Sequence, residues 1–124
     1  MARVLTYGSF DCLHYGHIRL LERAKELGDF LIVGLSTDAF GREKGKQHLF
    51  DYERRKKDLE AISDVDLIIP ETSWDQKAED IKKYDIDLLV LGSDWVGKFD
   101  DVPCKVIYLP RTEGVSSTKI REAL

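Results

Sequence analysis

The sequence predicts an α/β protein: one doubly wound parallel sheet of about five strands with helices on both faces. Three observations predict it. Short apolar runs alternate with helical patterns along nearly the whole chain, the one gap lying between 92 and 105. The second apolar run, "FLIVGLS", carries almost no polar residue, as a strand buried on both faces should. The unusual polar, glycine-bearing loops all follow apolar runs, which is where such sheets gather their ligands.

Taken in order, "RVLTY" (3–7) is a β-rich run that ends at Gly8. Leu20, Leu21, Ala24 and Leu27 recur at helical spacing, and Gly28 closes that helix as its C′ residue. "FLIVGLS" (30–36) is the second strand, and 51–62 reads as a helix with Asp51 as its N-cap. "VDLIIP" (65–70) is a third strand that Pro70 is expected to stop. A helix from about Ser73 to Tyr84 follows, then strands "DLLVLG" (87–92) and "KVIYLP" (105–110). Ser116 or Ser117 can cap a last helix. With no internal repeat or linker in 124 residues, 1–124 is expected to be a single domain.

Composition narrows the function classes. The net charge of −4 speaks against coating nucleic acid. No apolar run reaches the roughly 20 residues of a membrane span, and the first residues lack a signal-peptide pattern. Cys12 and Cys104 lie far apart with no CxxC, so a reduced, cytoplasmic protein without structural zinc is expected. Charge is nonetheless uneven: seven basic residues against three acids stand between Arg42 and Lys57. That run is either a solvated helix face or a cationic wall for a small anion.

Chemistry concentrates in "GSFDCLHYGH", after the first strand. His14 and His17 flank Gly16 where a helix begins. A helix N-terminus offers unsatisfied N–H donors and a partial positive charge of about half a unit. Gly16 lets a ligand approach the backbone, and residues three apart on a helix can face one ligand. The pair can therefore stabilise charge on a phosphoryl group. The competing reading is one capping and one surface histidine. Zinc lacks its H-E-x-x-H spacing, with His48 the sole other histidine. P-loop, GxGxxG and G-x-S-x-G patterns are also missing. "RTEGVSST" adds Arg111, a planar fork for phosphate, with Gly114, Ser116, Ser117 and Thr118 at another helix start. Two such ends suit a triphosphate.

"GSFDCLHYGH" and "RTEGVSSTKI" resemble the two signatures of the cytidylyltransferases within the HxGH nucleotidyltransferase group. "FDYERRK" and "GSDWVGKFD" fit the compact members acting on glycerol 3-phosphate better than the longer choline- or ethanolamine-phosphate enzymes. The resemblance implies a Rossmann-like fold and transfer of a cytidylyl group from CTP to sn-glycerol 3-phosphate. The products are CDP-glycerol, a precursor of teichoic-acid-type polymers, and pyrophosphate. It also implies Mg²⁺ carried by the CTP phosphates and a homodimer.

By the same resemblance His14, His17, Lys44 and Arg111 are catalytic. Ser9, Phe10, Asp11, His14, Gly16, His17, Lys46 and Asp94 serve CTP, as do Arg111, Thr112, Glu113, Gly114, Val115, Ser116, Ser117 and Thr118. Lys44, Trp74 and Lys77 take the acceptor, and no residue is assigned to a metal. Ser63 and Asp64 stand where members usually carry an arginine–tyrosine pair. A sibling transferase using another phospho-alcohol or ATP, and a non-catalytic nucleotide-binding module, are the alternatives.

Overall fold

The structure, a computed structural model, describes residues 2–45, 47–92 and 102–109. Five strands, β1 (Arg3–Gly8), β2 (Phe30–Ser36), β3 (Leu67–Glu71), β4 (Leu88–Gly92) and β5 (Lys105–Leu109), form one sheet in the order β3-β2-β1-β4-β5. Every pairing is parallel. The order reverses between β1 and β4, so the carboxyl end of β1 faces the crevice that such sheets use for ligands.

Side chains alternate across the sheet with the period of two that strands impose. Val4, Leu31, Val33, Leu35, Leu88 and Val90 pack on one face with Leu21 and Ala24 of α1 (Tyr15–Glu26) and Leu59 of α3 (Tyr52–Glu60). Leu5, Ile32, Ile69, Leu89 and Leu91 pack on the other with Ile81 of α4 (Gln76–Lys83). Helices thus cover both faces, as the alternating pattern predicts. Asp51 caps α3 by accepting from Arg54 N at 2.9 Å. Among the described residues, no helix is long and apolar enough to cross a membrane.

Four expectations change. The helix α2 (Asp38–Glu43) was not predicted, because six residues are too few to show a period; Thr37 caps it through Phe40 N. Strand β3 starts at Leu67, since Val65 N turns back to Ile62 O. It also runs through Pro70 to Glu71. Proline is tolerated there because β3 is an edge strand, where a missing N–H breaks no ladder bond. Helix α4 begins at Gln76 rather than Ser73, because Gln76 Oε1 takes the N–H groups of Thr72 (2.6 Å) and Ser73 (3.0 Å). The basic run is not one wall either. Consecutive residues of α3 point about 100° apart, so Arg54 is exposed while Arg55 is fully buried. The last helix expected from Ser116 lies outside the described residues.

Candidate active site

Two polar clusters sit at the carboxyl ends of β1, β2 and β3. The first is the β1–α1 junction. His14 is the N-cap of α1, its extended backbone (φ −137°, ψ 177°) turning the ring back so that Nδ1 accepts from Gly16 N at 3.0 Å. Accepting at Nδ1 puts the proton of the neutral ring on Nε2. Gly16's amide is committed to that cap. The His17 ring stacks on His14 with centroids 3.9 Å apart and 21° between planes. Burial, then the neighbouring His14, lowers the His17 pKa from the usual 6.5 to about 4, and burial lowers that of His14. Both rings are neutral at physiological pH, and the pair can offer hydrogen bonds without carrying charge in advance.

The loop leading into this pair is held under strain. Phe10 and Cys12 both adopt left-handed backbone, at φ 45° and 53°. Phe10 is buried in the core with its ring 5.3 Å from that of His17, so its backbone, not its side chain, is what it can offer a ligand. Asp11, also buried, ties this loop to the segment before α3: its carboxylate accepts from Leu49 N (2.6 Å) and Phe50 N (3.0 Å). Ser9 Oγ lies 3.1 Å from His48 Nε2. His48 reaches it because Gly41 carries no Cβ, which would stand 2.3 Å from the ring.

The second cluster joins the ends of β2 and β3 to α2 and α4. Glu71 is 3% exposed, and its two oxygens face two lysines: Oε1 lies 3.6 Å from Lys44 Nζ, and Oε2 3.2 Å from Lys77 Nζ. Ser36 Oγ donates to Glu71 Oε1 at 2.7 Å and accepts from Lys44 Nζ at 2.8 Å. Aromatic faces complete the cradle. Lys44 Nζ lies over Phe40 (4.7 Å) and Trp74 (5.8 Å), Lys77 Nζ over Tyr7 (4.5 Å) and Trp74 (5.6 Å). Burial, then the hydrogen bond to Asp80, pushes the Tyr7 hydroxyl far up, so it remains a neutral donor. Trp74, edge-on to Phe40, remains 45% exposed.

Arg55 joins the two clusters. Its guanidinium donates to the carbonyls of Phe50 (3.0 Å), Ser9 (3.0 Å) and Ser36 (2.8 Å), and to Asp38 Oδ1 (2.8 Å). Burial opposes ionisation of Asp38, yet the Tyr52 N–H and Arg55 together hold its carboxyl below the ordinary range.

Of the residues singled out in the sequence, the structure brings Ser9, Phe10, Asp11, His14, Gly16 and His17 together, and Lys44, Trp74 and Lys77 beside them. Lys46, Asp94, Arg111, Thr112, Glu113, Gly114, Val115, Ser116, Ser117 and Thr118 lie outside the described residues. Sequence reasoning missed Ser36, Glu71 and Arg55. The rule that ligands gather at strand carboxyl ends names the first two once it is applied to β2 and β3. Nothing local distinguishes Arg55 from the basic residues around it.

A parallel sheet whose first βα junction carries a capped HxGH pair, beside a lysine-lined cradle, defines a nucleotidyltransferase-type site. The chain belongs to the cytidylyltransferase-like family, whose match runs over residues 5–123. It is 57% identical to glycerol-3-phosphate cytidylyltransferase of Staphylococcus aureus (strain NCTC 8325 / PS 47), over 100% of this chain and 96% of that protein. It is 56% identical to glycerol-3-phosphate cytidylyltransferase of Bacillus subtilis (strain 168), over 100% of this chain and 98% of that one. Among solved structures it is similar to the lipopolysaccharide core biosynthesis protein from Thermoplasma volcanium GSS1. There the TM-score is 0.72 and the identity 28%, over 90% of this chain and 97% of that chain.

Proposed function

We propose that this chain transfers the cytidylyl group of CTP to sn-glycerol 3-phosphate, releasing pyrophosphate and CDP-glycerol. The observation that carries the reading is the neutral, stacked His14–His17 pair at a helix mouth beside the Lys44–Lys77 cradle. The identity to two glycerol-3-phosphate cytidylyltransferases supports both substrates. An acceptor phosphate oxygen attacks the α-phosphorus of CTP in line. One P–O bond forms to the acceptor, the bond to the β-phosphate breaks, and the leaving group departs as pyrophosphate. Catalysis is then positioning and charge stabilisation.

His14 Nε2–H and His17 meet the oxygens on which negative charge builds. Donors preset by a cap and a stack need no rearrangement at that moment. Lys44 bridges the acceptor and the α-phosphate, and Lys77 beside Trp74 takes the acceptor phosphate. Lys46, Asp94, Arg111 and 112–118 hold the nucleotide in this reading. Resemblance supports Mg²⁺ as an ion that the CTP phosphates would carry into the site. Bound there, it would neutralise triphosphate charge. Resemblance supports the rest of the reading: a cytoplasmic homodimer whose product feeds teichoic-acid-type polymers.

The test is pyrophosphate release by purified protein with Mg²⁺, each nucleoside triphosphate and a panel of phospho-alcohols. CTP with sn-glycerol 3-phosphate should be the best pair, with CTP ahead of ATP by about two orders of magnitude, a few kcal/mol of differential binding. Equal turnover with ATP would reassign the chain to a sibling chemistry, and nucleotide binding without turnover to a sensor.

A further inference from the structure

We propose that Glu71 is a positioning residue for the acceptor phosphate, its buried carboxylate holding the Lys44 and Lys77 ammonium groups together before substrate arrives. The inference rests on the proposed function and deepens it. Lys44 comes from the end of α2 and Lys77 from α4, so nothing in the chain path sets their separation. Glu71 does, with Oε1 3.6 Å from the first and Oε2 3.2 Å from the second.

The carboxylate is itself fixed. Glu71 is the last residue of β3, in register with Ser36, and its carbonyl accepts from Thr37 N at 3.0 Å. Ser36 Oγ donates to Oε1 at 2.7 Å, so the side chain cannot swing away without breaking a buried hydrogen bond. Each lysine has four rotatable bonds and loses much freedom when it binds a phosphate. Ordering both beforehand moves that entropy from binding to folding. Without a shared counter-charge, two nearby ammonium groups repel each other and separate. An ammonium carries a full positive charge and three donors, so a phosphate can join the carboxylate around it.

The test compares the full chain with Glu71→Gln, in which the amide oxygen still accepts from Ser36 but the charge is gone. The acceptor KM should rise about tenfold or more while the KM for CTP moves less than about twofold, the split expected when one substrate's contacts alone are lost. An unchanged or lower acceptor KM overturns the proposal, and so does a parallel rise in both KM values. In the Lys77→Ala background the same change should raise the acceptor KM less than it does alone, because only the hold on Lys44 is left to lose; multiplying effects would overturn it. Should Glu71→Gln not fold, Glu71→Asp, charged but shorter, should give a smaller rise confined to the acceptor, and no rise would overturn the proposal.

Failure of the functional reading looks different: the unaltered chain itself would not turn over CTP with glycerol 3-phosphate. Binding then decides. Trp74 lies within 6 Å of both lysines, so its emission in a Trp95→Phe background reports glycerol 3-phosphate reaching them. Glu71→Gln should weaken that titration about tenfold. Equal titrations would overturn the proposal.

Discussion

His14 divides its two nitrogens between folding and chemistry. Nδ1 satisfies the Gly16 amide and Nε2 keeps the proton, so capping and ligand binding are not rival roles for this residue. Truncating it has two separable consequences. His14→Ala should lower kcat by about 100-fold, the scale of losing one preorganised donor. It should also cost about 1 kcal/mol of stability for the lost cap. His17→Ala should cost as much kcat without removing a cap. Since the stacked rings act as a unit, the double variant should be little slower than the worse single one. Turnover beside a melting curve for all three checks this; near-normal kcat with only a lowered melting temperature would leave the pair a structural role alone. The HYGH spacing made the pair legible in sequence. Its neutrality was not, because it arises from burial and from the contact of one ring with the other.

At the scale of elements, the site is a junction of loops held by one buried side chain. Arg55 on α3 grips the end of β1, the end of β2, the start of α2 and the turn before α3. Arg55→Met should therefore destabilise by about 3 kcal/mol, since it leaves three carbonyls and a carboxylate short of a partner. Arg55→Lys should recover little, because one ammonium cannot reproduce a fork with five donors. Chemical denaturation of the two variants measures this, and a lysine variant as stable as the parent would contradict it. The strands were readable because burial writes itself as apolar runs: "RVLTY", "FLIVGLS" and "DLLVLG" became β1, β2 and β4 within a residue or so. Helix α2 and the start of β3 were not, since six residues are too few to show a period and one backbone bond from Val65 to Ile62 leaves no mark on the apolar pattern. The same holds for Glu71. Its carboxylate matters only because the fold brings two lysines from different helices to it.

For the whole molecule, the histidines set how the fold meets acid. Burial lowers the pKa of all three, with His17 lowest at about 4. As pH falls from about 6.5 towards 4, the unfolded chain takes up protons that the folded one refuses, so stability drops with pH over that window and is fully present above it. Melting temperature should therefore be level above pH 6.5 and decline below it, with a shallower decline in His17→Asn. A flat profile from pH 6.5 to 4.5 would contradict the burial of these rings. A different consequence follows from Pro70. It stands in the outermost strand, has no N–H to offer, and its carbonyl already accepts from Gln76 Nε2 at 2.9 Å. A strand from another molecule would find those rungs missing near the carboxyl end of β3. That blunts edge-to-edge polymerisation along this border at high concentration. Near Pro70, self-association is left to side chains, a kind of contact that can be selective and reversible where a backbone ladder would not be.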